Sequence, residues 1–149
     1  TGDGLMLGEL DAAAIDAFVA AAGPDSGSPL VSVEIRHLGG ALHRSEERHG
    51  ALPTFDSSFL TFALGMVFDE EMYAANRRQI TVVREALAPY DTGRRYSGFT
   101  EEAADCATFY REDAYRRLCA VKTAADPDNV FRANHPISAP ATSPCPTTL

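Results

Sequence analysis

Residues 59–68 read Phe59-Leu60-Thr61-Phe62-Ala63-Leu64-Gly65-Met66-Val67-Phe68 and predict one long β-strand. Its two faces differ in bulk rather than in polarity. We expect the bulky row to pack against helices and the small row to leave room for another group to approach the sheet. The bulky row is Leu60, Phe62, Leu64, Met66 and Phe68, and the mostly small row is Phe59, Thr61, Ala63 and Gly65.

A second strand is predicted over residues 31–37, where apolar and polar side chains alternate before Gly39-Gly40. One face carries Val31, Val33 and Ile35. If helices cover this face and the bulky row of 59–68, the opposite face of the sheet would point towards any ligand. That opposite face would present Ser32, Glu34, Arg36 and Thr61.

Helices are predicted on both sides of these strands in the sequence. Asp11 is a good N-cap for a helix over residues 12–22, with Leu10 and Ile15 placed for a hydrophobic staple. Its apolar positions are Ile15, Phe18, Val19 and Ala22. Asp69 caps a second helix that runs down to Pro89, with acidic residues in its first turn. The apolar stripe of that helix is Met72, Asn76, Ile80, Val83 and Leu87.

The C-terminal third predicts a short extended segment over 93–99, a helix from Thr100 to about Tyr110, and a helix over about 113–125. Asp126-Pro127 ends this last helix, because a residue before proline disfavours helical geometry. We predict an α+β fold, with an antiparallel β-sheet covered on one face by helices. It would form one domain over 1–137, followed by a disordered Pro/Ser/Thr-rich tail over 138–149.

Composition narrows the possible functions. The 149 residues carry a formal net charge of −8, which argues against nucleic acid and anionic membrane surfaces as partners. No apolar run is long enough to span a bilayer. The three cysteines match no zinc or redox spacing, so we expect reduced thiols and a cytoplasmic protein. His37, His43 and His49 recur every six residues without supporting ligands, so no metal site is predicted.

Several motifs of the C-terminal third occur together in a family-specific order. Residues 93–99 read Gly-Arg-Arg-Tyr-Ser-Gly-Phe and residues 115–122 read Tyr-Arg-Arg-Leu-Cys-Ala-Val-Lys. Residues 126–132 read Asp-Pro-Asp-Asn-Val-Phe-Arg. This combination closely resembles the C-terminal end of the berberine-bridge-enzyme-like FAD-linked oxidases, and residues 36–41 also look like a strand end of that family's substrate domain.

The resemblance implies that the chain is the substrate-binding and C-terminal part of a bacterial FAD-dependent oxidoreductase. Such an enzyme transfers a hydride from a C–H bond of a small organic substrate to flavin. FAD would be bound mainly by a domain that this sequence lacks, so the chain alone would be inactive. The implied partners are the substrate and that FAD-binding domain. A standalone, non-enzymatic α+β module for binding or dimerisation remains the alternative.

The resemblance also suggests site residues, with two departures from the family pattern Tyr-x-Asn-[Phe/Tyr]. Gly98 replaces the asparagine, and Phe99 stands where some members have a proposed catalytic tyrosine. Tyr96, Gly98 and Phe99 are the predicted cofactor-side residues, although Tyr96 could equally be a packing tyrosine. Glu34, Arg36 and Thr61 are the predicted substrate-side residues, with a plain surface pair as the alternative for Glu34 and Arg36. No catalytic base is assigned.

Overall fold

The computed structural model describes residues 1–46 and 48–137. These contain three strands and three α-helices, together with short 3-10 turns at Gly40–His43, Ala88–Tyr90, Ser97–Phe99 and Cys106–Phe109. In chain order the elements are β1 (Gly2–Leu7), α1 (Ala12–Ala22), β2 (Ser32–His37), β3 (Phe59–Leu64), α2 (Glu70–Leu87) and α3 (Glu112–Ala125). The predicted tail over 138–149 lies outside the described residues.

The strands form an antiparallel sheet in the order β1-β3-β2. Both neighbours of β3 run antiparallel to it, so β1 and β2 are parallel to each other with β3 inserted between them. This is a split βαβ unit in which α1 connects the two outer strands. The predicted α+β class with an antiparallel sheet is confirmed.

Strand register defines two faces, because directly opposed residues lie on the same side of a sheet. Thr61 pairs with Leu5 and Ile35, while Phe62 pairs with Gly4 and Glu34. We call the side of Thr61 the helix face and the side of Phe62 the aromatic face. The helix face comprises Asp3, Leu5, Leu7, Val33, Ile35, His37, Phe59, Thr61 and Ala63. The aromatic face comprises Gly2, Gly4, Met6, Ser32, Glu34, Arg36, Leu60, Phe62 and Leu64.

The main core lies between the helix face and helices α1 and α2. Its fully buried members are Leu5, Leu7, Ala21, Val83 and Leu87. The prediction that the bulky row of β3 packs on the helices is wrong, because Thr61 and Ala63 face them instead. Leu5 and Leu7 of β1 supply the bulk on this side, so small residues in the central strand let the helices approach.

Strand β1 was missed in the sequence because two glycines interrupt its apolar pattern. A Cβ on Gly2 would lie 2.8 Å from the Phe62 ring, and one on Gly4 would lie 2.5 Å from the Thr61 carbonyl oxygen and 3.4 Å from Phe99. The two glycines therefore leave space on their own face of the sheet, and the rings of Phe62 and Phe99 occupy it.

Helices α1 and α2 have the predicted bounds at their N-termini. Asp11 accepts a hydrogen bond from the Ala14 N–H, and Asp69 accepts one from the Met72 N–H, each at 2.8 Å. The α2 stripe is confirmed for its four buried members, Asn76, Ile80, Val83 and Leu87. In α1 the predicted stripe is rotated, since Ile15 and Val19 are both 54% exposed. Ala14 and Ala21 are the buried positions there.

Three other boundaries differ from the prediction. β3 ends at Leu64, and Met66, Val67 and Phe68 are exposed beyond it. The predicted extended segment over 93–99 holds as far as Tyr96, but its last three residues form a 3-10 turn. Thr100 starts no helix, because its backbone pairs with Asp3 of β1 in an isolated bridge. The predicted C-terminal helix is present as α3.

The tight approach of Gly65 to α2 gives a stability prediction. A Cβ at this position would lie 2.3 Å from Cγ of the buried Asn76. We expect Gly65→Ala to destabilise the fold by about 1–3 kcal/mol through overpacking. Chemical denaturation followed by circular dichroism measures this change.

Gly50→Ala is the matched control, because a Cβ there meets nothing within 4 Å. In an Asn76→Ala background the cost of Gly65→Ala should fall, since the clashing side chain is gone. An unchanged cost in that background would contradict the assigned contact.

Candidate functional site

The aromatic face is covered by three rings that we call the aromatic layer: Phe55, Tyr96 and Phe99. They pack on Met6, Leu38 and Leu60, which are at most 4% exposed. Phe99 stacks on Phe62 of β3 with ring centroids 4.2 Å apart. Tyr96 meets Phe99 edge-on at 5.2 Å and Phe55 edge-on at 5.6 Å. Such pairs are each worth about 0.5–1.5 kcal/mol beyond area burial.

The 3-10 turn at Ser97–Phe99 holds two of these rings in place. Tyr96 provides the carbonyl oxygen that accepts bonds from the Phe99 N–H and the Thr100 hydroxyl, both at 3.0 Å. Thr100 in turn bridges to Asp3 at the outer edge of β1. The C-terminal end of the turn is therefore attached to the sheet through Thr100. This attachment keeps the rings of Tyr96 and Phe99 on the aromatic face.

Gly98 lies directly beside the Tyr96 ring. A Cβ at position 98 would be 3.0 Å from Tyr96 Cε1 and 3.4 Å from its hydroxyl oxygen. The ring occupies the space into which a side chain at position 98 would extend. Of the predicted cofactor-side residues, Tyr96 and Phe99 thus share one layer, and Gly98 lets Tyr96 fold back over the turn.

Glu34 and Arg36 lie at the rim of the aromatic face. Arg36 Nη2 is 2.6 Å from Glu34 Oε1, and the two side chains are 54% and 35% exposed, in that order. The Arg36 guanidinium also lies over the Phe99 ring, 5.1 Å from its centroid. A half-exposed ion pair contributes little to stability, and it places one charge of each sign next to the layer.

Thr61 does not join this group. It is 2% exposed on the helix face, where its hydroxyl donates to the Glu34 carbonyl oxygen at 2.8 Å. The prediction that Ser32, Glu34, Arg36 and Thr61 share one face is therefore wrong for Thr61. Its neighbour Phe62 lies on the face of Glu34 instead. The physical reason is the register, which pairs Thr61 with Ile35 rather than with a polar residue of β2.

An open groove of about 300 Å³ lies beside Phe55, in a stretch for which the sequence predicted no element. His49 provides an imidazole in this groove, and its Nδ1 accepts a bond from the Glu46 N–H at 3.2 Å. Phe55 thus belongs to both the groove and the aromatic layer. Its role was missed because a single aromatic residue in a polar loop carries no periodic signal. The groove is lined by Ala41, Leu42, His49, Gly50, Leu52, Pro53, Thr54 and Phe55.

Asp56, the residue after Phe55, forms an ion pair with Arg111. Arg111 Nε donates to Asp56 Oδ2 at 2.9 Å, and a second bond joins Arg111 Nη2 to Asp56 Oδ1. The hydrogen bonds from Arg111 lower the pKa of Asp56 below its usual range. This pair links the 51–56 loop to the residue before α3.

The described residues do not fit the phosphate groups of a dinucleotide cofactor. A helix N-terminus binds phosphate through free N–H groups and a positive dipole. Here Asp11 and Asp69 occupy the N-caps of α1 and α2, and Glu112 and Asp113 lie in the first turn of α3. Carboxylates thus cap α1 and α2, while the N-cap position of α3 is occupied by Arg111, which is paired with Asp56. FAD would have to be held by residues outside this part of the chain.

Within residues 1–46 and 48–137, no helix is both long and apolar enough to cross a membrane. Within the same ranges, no three His, Cys, Asp or Glu side chains are grouped as a metal site requires.

The end of α3 is organised by Asp126. Its carboxylate accepts bonds from the N–H groups of Val130 and Phe131, at 2.8 and 3.1 Å, and from Lys122 Nζ. Lys122 Nζ also donates to the Phe131 carbonyl oxygen at 2.8 Å. The Val-Lys and Asp-Pro-Asp-Asn-Val-Phe motifs recognised in the sequence are therefore one structural unit.

Comparison with known proteins supports the resemblance. The family model described as berberine and berberine like matches residues 96–138, from Tyr96 through the Asp126 turn. Physcomitrella patens BBE-like 1 shares the fold, with 20% identity and a TM-score of 0.71 for the wild type, and 18% and 0.73 for a variant. Each alignment covers 93% of this chain. No curated protein matches the sequence.

The predicted resemblance to berberine-bridge-enzyme-like oxidases is thus confirmed, with the sequence match confined to the C-terminal segment. The chain spans 30% of the length of the solved structures that it matches. At this identity those structures show a common fold and not a common substrate.

The contact between Gly98 and Tyr96 can be tested by substitution. We expect Gly98→Ala to displace the Tyr96 ring, because the new Cβ would press on Cε1. The aromatic proton shifts of Tyr96 and Phe99 should change, while stability changes by about 0.5 kcal/mol or less at this exposed turn. Ser97→Ala is the control and should leave both rings in place. Unchanged shifts in Gly98→Ala would contradict the ring position.

The Asp126 unit predicts a pH dependence. Its pKa lies below 3.8, chiefly through the hydrogen bond from Lys122 and then through the N–H groups of Val130 and Phe131. Because the folded-state pKa is lowered, the stabilisation is complete above about pH 3.8 and is lost as the pH falls through the lowered value. Carboxyl NMR titration measures this midpoint.

Lys122→Met should raise the pKa of Asp126 towards 3.8 while the two backbone donors keep it somewhat lowered. Arg117→Met, at an exposed position of the same helix, is the charge-matched control and should leave the midpoint unchanged. A wild-type midpoint at the ordinary aspartate value would contradict the assigned bonds.

Proposed function

We propose that the chain is the substrate-binding and C-terminal part of a bacterial FAD-dependent oxidoreductase, inactive without an FAD-binding domain. Berberine-like proteins are FAD-dependent. The reaction would move a hydride from a C–H bond of a small organic substrate to the flavin. The observation that carries the proposal is that the family-matched segment begins at Tyr96 and contributes two of the three rings, Tyr96 and Phe99, to the aromatic layer on one face of the sheet.

The aromatic layer suits the apolar wall of a substrate pocket. Pockets for small molecules are mostly apolar, with a few polar groups that fix orientation. Here the polar groups at the rim are the Glu34–Arg36 pair, and the groove beside Phe55 adds His49. A substrate lying in the groove could contact Phe55 and reach the edge of the layer. The groove volume of about 300 Å³ is at the lower end of the range for small-molecule sites.

Proton transfer is restricted by the residues that this chain carries. Phe99 has no exchangeable proton, and Gly98 has no side-chain amide, so neither can act as acid, base or hydrogen-bond donor through a side chain. Tyr96 keeps a phenolic hydroxyl next to Gly98. Tyr96 is therefore the ring of the layer that carries an exchangeable proton, and a proton acceptor would come from the part of the enzyme outside this chain.

The alternative is a standalone binding or dimerisation module with this fold. It is supported by the carboxylate caps of α1 and α2, which disfavour a phosphate-bearing cofactor at those helix ends. The two proposals differ in whether flavin is present in the complete gene product.

Flavin binding tests the proposal. The purified 149-residue chain should be colourless and should not quench the fluorescence of added FAD, because carboxylates occupy the N-caps of α1 and α2 and disfavour phosphate there. The complete gene product, purified in parallel as the comparison, should show the visible absorption bands of bound flavin. Anaerobic addition of candidate substrates should then bleach those bands.

Either of two results would contradict the proposal. A complete gene product free of flavin would favour the standalone module. A 149-residue chain that retains flavin would contradict the claim that its cofactor site lies elsewhere.

A further inference from the structure

The segment 96–99, which carries two rings of the aromatic layer, is held at its N-terminal end by the 3-10 turn at Cys106–Phe109. The Arg95 N–H donates to the carbonyl oxygen of Thr108, inside that turn, at 3.2 Å. The backbone directly before Tyr96 is therefore fixed to the turn by a hydrogen bond that does not involve the sheet.

The same turn reaches the C-terminal end of the segment through His135. Nε2 of His135 lies 2.8 Å from the carbonyl oxygen of Thr100. Because a carbonyl oxygen only accepts, Nε2 carries the proton and donates it to this bond. The imidazole packs on the ring of the buried Phe109, with centroids 4.7 Å apart. The turn thus holds the segment at both ends, directly at Arg95 and through the imidazole at Thr100.

The backbone next to His135 is anchored in the same turn. Cys106 is fully buried, and its Sγ donates to the Pro136 carbonyl oxygen at 3.0 Å. Phe109 then supports the imidazole from the other end of the turn. The position of His135 is therefore set by two buried side chains of one short element, which makes its Nε2 a fixed donor.

Thr100 is the residue that passes this constraint to the aromatic rings. Its pairing with Asp3 is one isolated bridge and not part of a strand ladder. Its hydroxyl donates to the Tyr96 carbonyl oxygen, which also accepts the Phe99 N–H. A rotation of Thr100 about the single bridge would therefore carry both rings with it, and the bond from His135 opposes such a rotation.

We propose that His135 is a positioning residue for the candidate site. It acts through Thr100 and keeps Tyr96 and Phe99 in their places on the aromatic face. Its consequence for catalysis rests on the proposed function, in which the aromatic layer is the apolar wall of a substrate pocket. The ring positions themselves can be measured on the 149-residue chain without flavin, so the two proposals can fail separately.

Aromatic NMR of the 149-residue chain tests the proposal. His135→Phe keeps a ring against Phe109 but removes the donor to Thr100. We expect loss of the strong Overhauser effects between the rings of Phe62 and Phe99, together with changed shifts of Tyr96. A substitution that only lowered the stability would leave the rings of the folded protein where they are.

Two amide variants separate the hydrogen bond from other effects of the substitution. Glutamine carries its amide nitrogen about as far from the backbone as Nε2 of histidine, whereas asparagine reaches only as far as Nδ1. Both amides are neutral donors. We expect His135→Gln to keep the wild-type ring contacts and His135→Asn to lose them as His135→Phe does.

Asn134→Ala is the control, at the exposed position next to His135, and should leave both rings in place. Circular dichroism verifies the folding of each variant. If His135→Phe does not fold, the comparison of the two amides decides. Wild-type ring contacts in His135→Asn, or displaced rings in His135→Gln, would overturn the proposal.

The complete gene product gives the catalytic readout, with the first compound found to bleach its flavin as the probe. His135→Phe should raise the KM of this compound several-fold with less effect on kcat, because an apolar wall binds ground state and transition state alike. An unchanged KM with displaced rings would contradict the proposed pocket wall. A flavin-free gene product would contradict the proposed function and leave the ring measurements as they are.

Discussion

The alternation of side chains along β3 is the constraint on which the other packing relations depend. β3 is hydrogen-bonded on both edges, so its register cannot change without breaking pairs with β1 and β2 together. A shift by one residue would exchange its faces. Leu60 and Phe62 would then lie beneath α2, where the contact between Gly65 and Asn76 already leaves no space for a Cβ.

The same register prepares the other face for the aromatic layer. Gly2 and Gly4 of β1 leave a space that the rings of Phe62 and Phe99 fill, and Met6 and Leu60 close the layer from below. The family-matched segment starts at Tyr96, where the chain returns to this face after passing the edge of β1. The register of β3 therefore determines both the core under the helices and the aromatic layer of the candidate site.

The sequence predicted α1, α2, α3, β2 and the fold class, because capping carboxylates and regular apolar spacing are local signals. Asp11 and Asp69 marked helix starts correctly for this reason. β1 was missed, since its glycines serve contacts with residues some sixty positions away. Thr61 was assigned to the wrong face because the bulky row of β3 was expected under the helices. In the structure Leu5 and Leu7 of β1 supply the large side chains there, so small residues of β3 can face the helices. Tyr96 and Phe99 were found through motif resemblance, whereas Phe55 depends on tertiary packing alone.

The most direct test of this arrangement is a nuclear Overhauser measurement on the side chains of β3. The structure predicts strong effects between the Phe62 and Phe99 rings, whose centroids lie 4.2 Å apart, and none between Phe62 and the buried Val83 and Leu87 of α2. Contacts from Phe62 to Val83 or Leu87, without contacts to Phe99, would place the bulky row of β3 under the helices. That result would contradict the register and the aromatic layer together.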